Sequence, residues 1–135
     1  MIRTGAPEVL IVDDEPDICW ALTHILKGMG IVPVTTTSGR EALRLAQSQR
    51  FHLAFVDAKL PDMDGLDLAR SIREGDAAVR IVLVSGYFWR DDAEVRQAMV
   101  AGLITSFVSK PIPHEEVQAI AREVLSTFRV IAPVP

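Results

Sequence analysis

The chain has a single cysteine, Cys19, in 135 residues, which excludes an intramolecular disulfide and fits a reducing compartment. It lacks a basic tract. With 14 Lys and Arg against 18 Asp and Glu, the formal net charge is −4, which gives no electrostatic footprint for direct binding of nucleic acid or an anionic membrane surface. No apolar run approaches the roughly 20 residues of a membrane span, and no signal-peptide apolar segment with a cleavage site opens the chain. The expected location is therefore the cytoplasm. Aromatic residues make up only 6%, yet Tyr87-Phe88-Trp89 places three of them in succession. His24, His52 and His114 do not have metal-ligand spacing.

What the chain does have is a series of apolar runs that end in reactive side chains. Val9-Leu10-Ile11-Val12 runs into Asp13-Asp14, and Leu53-Ala54-Phe55-Val56 into Asp57. Ile81-Val82-Leu83-Val84 ends in Ser85, and Phe107-Val108 leads to Ser109-Lys110. Between these runs, apolar residues recur at helical spacing. Pro16 suits a first helical turn ahead of Ile18, Ala21, Leu22, Ile25 and Leu26, with Gly28 and Gly30 as the stop. A short run over 31–35 predicts another strand, and Ser38 with Glu41 predicts a capping box for a helix carrying Ala42, Leu43 and Ala46. Leu60-Pro61-Asp62-Met63-Asp64-Gly65 has turn chemistry and precedes a helix marked by Leu66, Ala69 and Ile72. Asp91 or Asp92 is suited to cap a fourth helix, with Gly102 as its stop, and Pro113 is suited to a first helical position in the last.

Strands that alternate with helices predict an α/β fold with a parallel sheet, and continuous apolar runs predict strands buried on both faces. The expected architecture is a doubly wound (βα)5, flavodoxin-like single domain with strand order 2-1-3-4-5. That order sets the tips of the first and third strands side by side, where ligands bind in such sheets. Residues 8–128 are expected to form the domain, with residues 1–7 a flexible N-terminus and 129–135 a tail or the start of a linker. A chain of this length buries roughly two-thirds of the surface it exposes when unfolded, enough for a real core.

Asp13, Asp14 and Asp57 form an oxygen-donor set suited to a hard divalent cation such as Mg2+ or Mn2+, with Asp14 and Asp57 placed for direct ligation and Asp13 acting through water. A carboxylate is also a competent nucleophile toward a phosphoryl group, a transfer that depends chiefly on positioning and charge neutralisation. Lys110 would supply positive charge and Ser85 a hydrogen bond. Mutual repulsion raises carboxylate pKa values while Lys110 and a cation lower them, and sequence leaves that balance open. As a purely structural alternative, Asp13-Asp14 is an N-terminal helix cap.

Val12-Asp13-Asp14-Glu15-Pro16, Phe55-Val56-Asp57, Leu60-Pro61-Asp62-Met63-Asp64-Gly65, Val84-Ser85-Gly86 and Ser109-Lys110-Pro111 together resemble the signature set of bacterial response-regulator receiver domains. The resemblance implies that Asp57 is the phosphoacceptor, that Asp13 and Asp14 are the acid pair, that Ser85 is the switch hydroxyl and that Lys110 is the conserved-type lysine. It also implies a backbone carbonyl of Lys59 as a further metal ligand, a cis Lys110-Pro111 bond, and Phe107 as the switch aromatic, a role compatible with simple core packing. Three departures stand out: serine at 85 loses the methyl of the commoner threonine, phenylalanine at 107 lacks a tyrosine hydroxyl, and the segment between Ser85 and Lys110 is a few residues longer than in compact chemotaxis-type receivers.

The function implied is that of a phosphoacceptor, not an enzyme in the ordinary sense, though one that assists its own phosphorylation and dephosphorylation. A sensor histidine kinase is the expected donor. Phosphorylation would switch a surface of the fourth helix, fifth strand and fifth helix, controlling a homodimer or an output domain such as that of a transcription regulator. Trp20, off the apolar stripe of its helix, and Tyr87, Phe88 and Trp89 are the candidate partner surface, with core covering as the alternative for the latter three. A receiver-like interaction domain working without phosphorylation is the principal alternative. A haloacid-dehalogenase-type phosphotransferase would need an acid where Lys59 stands, and a flavodoxin-type binder would need a phosphate loop where the acids stand.

Overall fold

A computed structural model describes residues 3–4, 7–87 and 92–129. Five strands, β1 (Val9–Val12), β2 (Val34–Thr36), β3 (Leu53–Asp57), β4 (Arg80–Ser85) and β5 (Ser106–Ser109), form one parallel sheet in the order 2-1-3-4-5. Five helices alternate with them: α1 (Pro16–Lys27), α2 (Gly39–Ser48), α3 (Gly65–Gly75), α4 (Ala93–Val100) and α5 (His114–Leu125). The doubly wound architecture expected from the sequence is the one observed.

The period of two along each strand divides the core into two layers. Leu10, Val12, Ala54, Val56, Ile81 and Leu83 face α2, α3 and α4, where Ala42, Leu68, Ala69, Ile72, Val95 and Ala98 meet them. Val9, Ile11, Leu53, Phe55, Val82 and Val84 face the other way, onto Leu22, Ile25 and Leu26 of α1 and Val117, Ala121 and Val124 of α5. Burial of each large aliphatic side chain contributes about 1.5–3 kcal/mol, so both layers are needed to offset the entropy of ordering the chain. β1 and β3 are buried along their whole length, which explains why their sequences are apolar without alternation.

Local chemistry sets most boundaries. Pro16 occupies the first turn of α1, where its missing N–H is no loss. Gly30, with φ +83°, closes that helix by a Schellman pattern in which Ile31 N–H donates to Leu26 O and Gly30 N–H to Lys27 O. Gly28 is right-handed and only the first of the two stop glycines. Gly102, with φ +75°, repeats the device after α4. Ile31 is thus committed to the helix end and Pro33 has no N–H to donate, so β2 begins at Val34 and not at 31 as predicted. Ser38 caps α2 by accepting the Glu41 N–H at 3.1 Å. The reciprocal half of the predicted box is not made, because the Glu41 carboxylate pairs with Arg44 at 2.7 Å. Asp92 is the N-cap residue of α4. Pro113 is the N-cap of α5, one position earlier than predicted.

Near the chain ends, Arg3–Thr4 pairs in parallel with Phe128–Arg129. Arg3–Thr4 of the segment expected to be flexible and Arg129 of the expected tail thus take part in a two-stranded ladder.

Candidate functional site

Strand register assembles the site. Val12 pairs with Val56, Asp57 with Val84, and Ser85 with Ser109, so Asp13, Asp57, Ser85 and Lys110 fall at or one residue beyond four adjacent strand ends. Backbone hydrogen bonds continue past the strands: Ala58 N–H donates to Val84 O and Lys110 N–H to Ser85 O, both at 2.9 Å. The Lys110-Pro111 peptide is cis, as the sequence motif implied.

Asp13, Asp57 and Ser85 are buried, at 1%, 3% and 0% exposure, while Asp14 and Lys59 are exposed at the rim. Asp57 Oδ1 accepts the Lys59 N–H at 3.3 Å, and its Oδ2 faces Lys110 Nζ at 3.5 Å. Asp13 Oδ1 accepts the Glu15 N–H at 2.9 Å. Its Oδ2 lies 3.2 Å from Lys110 Nζ, an ion-pair distance, but the angle does not make a hydrogen bond and this buried oxygen has no other partner. Ser85 Oγ accepts the Tyr87 N–H at 2.9 Å.

The electrostatics follow from crowding acids in a partly dry pocket. Burial first, and then the negative charge of Asp13, push the Asp57 carboxyl up to about 6, with Lys110 pulling the other way. Burial also raises Asp13, against the pull of the Glu15 N–H and Lys110. For Lys110 burial works to lower the pKa, but the hydrogen bond to Glu15 and the charges of Asp13 and Asp57 outweigh it and hold the ammonium at about 12. The balance that sequence left open is thus decided by desolvation for Asp13 and Asp57 and by pairing for the lysine.

A second layer fixes this set. Gly65 packs so tightly beneath the Asp57 carbonyl and Ala58 Cα that a side chain there would overlap backbone, and its own N–H donates to Ala58 O at 2.9 Å. The Asp62 carboxylate accepts the N–H groups of Gly39 and Arg40, each at 2.9 Å, binding the loop after β3 to the start of α2. Those two donors hold the Asp62 carboxyl below its usual range.

A divalent cation fits these residues. One carboxylate oxygen from each of Asp13, Asp14 and Asp57 lies within 4.8 Å of the others, all are hard oxygen donors, and Asp13 Oδ2, buried and without a hydrogen bond, is the kind of acceptor that a cation or its water satisfies.

The remaining candidates lie outside this cluster. Phe107 is 2% exposed and packs in the core layer on the α4 side of β5. Trp20 is 68% exposed and stacks on His24, with ring centroids 5.0 Å apart. Tyr87 is exposed beside Ser85, while Phe88 and Trp89 lie outside the described residues. Sequence reasoning missed two neighbours of the acid pair. Glu15 reaches Lys110 Nζ at 2.7 Å, and the Cys19 thiol donates to Asp13 O at 3.2 Å. For Glu15 the only signal was an acid beside the acid pair. For Cys19 it was a position one turn into α1, a placement expected only to pack.

The chain belongs to the response regulator receiver domain family, whose model matches residues 9–122. It is 27% identical over 119 residues to the Transcriptional regulatory protein ZraR of Escherichia coli K12, a match covering 88% of this chain and 26% of that one. It is 33% identical over 129 residues to the Protein-glutamate methylesterase/protein-glutamine glutaminase 3 of Hahella chejuensis, covering 94% of this chain and 37% of that one. Among solved structures, the Vibrio cholerae chemotaxis protein CheY4 is 28% identical with a TM-score of 0.79, covering 90% of this chain and all of that one. The chain spans between about a quarter and a half of the curated relatives first matched, 26% of one and 51% of another.

Proposed function

We propose that the domain accepts a phosphoryl group on Asp57 and relays that event as a change of surface. The observation that supports this reading is the convergence, by strand register, of Asp57, the acid pair and Lys110 in one pocket. In the transfer, a bond forms between an Asp57 carboxylate oxygen and phosphorus. The bond from phosphorus to the donor breaks, and its electron pair leaves on the donor atom, an imidazole nitrogen of a sensor histidine kinase or the oxygen of an acyl phosphate. Mg2+ or Mn2+, held by Asp57, Asp14 and the Lys59 carbonyl with Asp13 through water, would neutralise charge on the phosphoryl oxygens when bound. Lys110 pairs with one phosphoryl oxygen, and Ser85 supplies a hydroxyl to another.

Phosphorylation then biases the face built by α4, β5 and α5, beneath which Phe107 lies. Both covalent steps, phosphorylation and its reversal by water, are assisted by the domain itself, with Lys59 and Tyr87 flanking the approach to Asp57. A cytoplasmic setting agrees with the reduced Cys19, and no helix among the described residues is long and apolar enough to cross a membrane. The output is transcription regulation by a further domain or a second protein, a reading supported by relatives such as ZraR. The exposed Trp20 face of α1 and the Tyr87 rim serve as contacts for a second copy or the output domain.

Intact mass after incubation with acetyl phosphate and Mg2+ tests the chemistry. One added phosphoryl group that is absent from Asp57→Asn and from a chelator-treated sample is the expected result. No adduct at any time point in the wild type would overturn it in favour of an interaction domain that works unphosphorylated.

A further inference from the structure

Lys110 is closer to an acid outside the phosphoryl-accepting set than to the acid it is meant to serve. Its Nζ lies 2.7 Å from Glu15 Oε1, against 3.2 Å from Asp13 Oδ2 and 3.5 Å from Asp57 Oδ2. Only the Glu15 contact has the geometry of a hydrogen bond. The two residues stand 95 positions apart, one at the start of α1 and the other just after β5, so the pair also bridges two strand ends across the mouth of the site. Glu15 is built to let go: its side chain is 56% exposed, whereas that of Lys110 is 12% exposed.

We propose that Glu15 is the resident counter-ion of Lys110 in the unphosphorylated domain, and a positioning residue that sets how readily the lysine reaches the phosphoryl group. The inference rests on phosphorylation of Asp57 as proposed above. A lysine bonded to Glu15 must exchange that carboxylate for a phosphoryl oxygen, and the displaced carboxylate turns into water. The exchange conserves one charge-assisted hydrogen bond of the ammonium, so the barrier it adds is small and adjustable. In this arrangement Glu15 holds the lysine back before transfer and competes for it afterward. Removing its charge speeds phosphorylation from a small donor and slows loss of the phosphoryl group that the lysine then holds unopposed.

Glu15→Gln retains the shape of an exposed side chain and is the variant of choice. With acetyl phosphate and Mg2+, its rate of adduct formation by intact mass is expected to rise by about two- to fivefold, the range of a partly exposed ion pair. Lysine-selective 15N NMR of the unphosphorylated proteins supplies an independent readout, since Lys110 is one of only three lysines, with Lys27 and Lys59. The Lys110 Nζ resonance is expected to move in Glu15→Gln, and to move in the wild type on phosphorylation. An unchanged rate in Glu15→Gln, with wild type forming the adduct normally, would overturn this inference alone. A faster rate with an unmoved Lys110 resonance would overturn it too, since loss of repulsion toward an anionic donor would then be the whole effect. Absence of any adduct in the wild type would instead remove the functional reading, and this inference with it.

Discussion

Gly65, the first residue of α3, lies directly beneath the carbonyl of Asp57, leaving no room for a Cβ between the helix start and the strand tip. The contact sets how close α3 can come to the site. Gly65→Ala must push either the helix or the tip of β3, and overpacking of this kind costs about 1–3 kcal/mol. Urea denaturation should show a lowered midpoint, and acetyl phosphate labelling of the folded fraction should slow.

Arg73 ties three backbone segments together. Its guanidinium donates to Ala77 O and Val79 O at 2.8 Å and to Leu103 O at 3.2 Å, joining the end of α3 to the start of β4 and the turn after α4. Arg73→Ala leaves those carbonyls without their donor and is expected to destabilise by about 2–3 kcal/mol. Arg73→Lys recovers only part of this, because one ammonium does not span the fork. Chemical denaturation of both variants measures the difference.

Asp57 makes the metal-free domain pH-sensitive in a direction opposite to that of most carboxylates. Its folded-state pKa, about 6, lies above the ordinary value of 3.8, so the folded state binds the proton more tightly than the unfolded chain does. The associated stability is present below about pH 4 and is lost as pH rises through about 6. Asp57→Asn should therefore stabilise the domain at pH 7.5, by about 1–3 kcal/mol, and have little effect at pH 4. Added Mg2+ should stabilise the wild type and not the variant. Thermal melts at the two pH values, with and without the cation, decide it.

Asp62 should behave in the opposite way. Two backbone donors lower its pKa, so its contribution is present above the unfolded value and lost as pH falls through the folded one. Asp62→Ala is expected to destabilise at pH 7 and to converge with wild type in strong acid. Urea midpoints across the acid range would show the convergence. At neutral pH the same variant should bind Mg2+ more weakly, since the loop that bears the Lys59 carbonyl loses its anchor on α2.

Trp20 packs on His24 and otherwise faces solvent, so Trp20→Ala should alter stability by less than about 0.5 kcal/mol. As a contact for a second copy or an output domain, it should nevertheless weaken association. Sedimentation velocity of wild type and variant, before and after phosphorylation, reads this out, and identical profiles would remove α1 from the partner surface.

By itself the sequence determined which residues stand at strand tips. Runs such as Leu53-Ala54-Phe55-Val56 are apolar because both faces of a central parallel strand are covered, and polar groups are admitted only where the strand emerges. Asp13, Asp57, Ser85 and Lys110 were therefore legible as a set, as was the sheet order that joins them. The tertiary structure decided what depends on distances between segments far apart in the chain. That Lys110 rests on Glu15, that Asp62 holds the backbone at the start of α2, and that Arg73 reaches the Leu103 carbonyl each depends on groups 95, 22–23 and 30 positions apart meeting after the sheet has closed. Such encounters have no period and no local propensity, so nothing in the order of residues announces them. The charge state of the pocket is of the same kind, since the raised Asp57 depends on how much water the packed strand tips exclude.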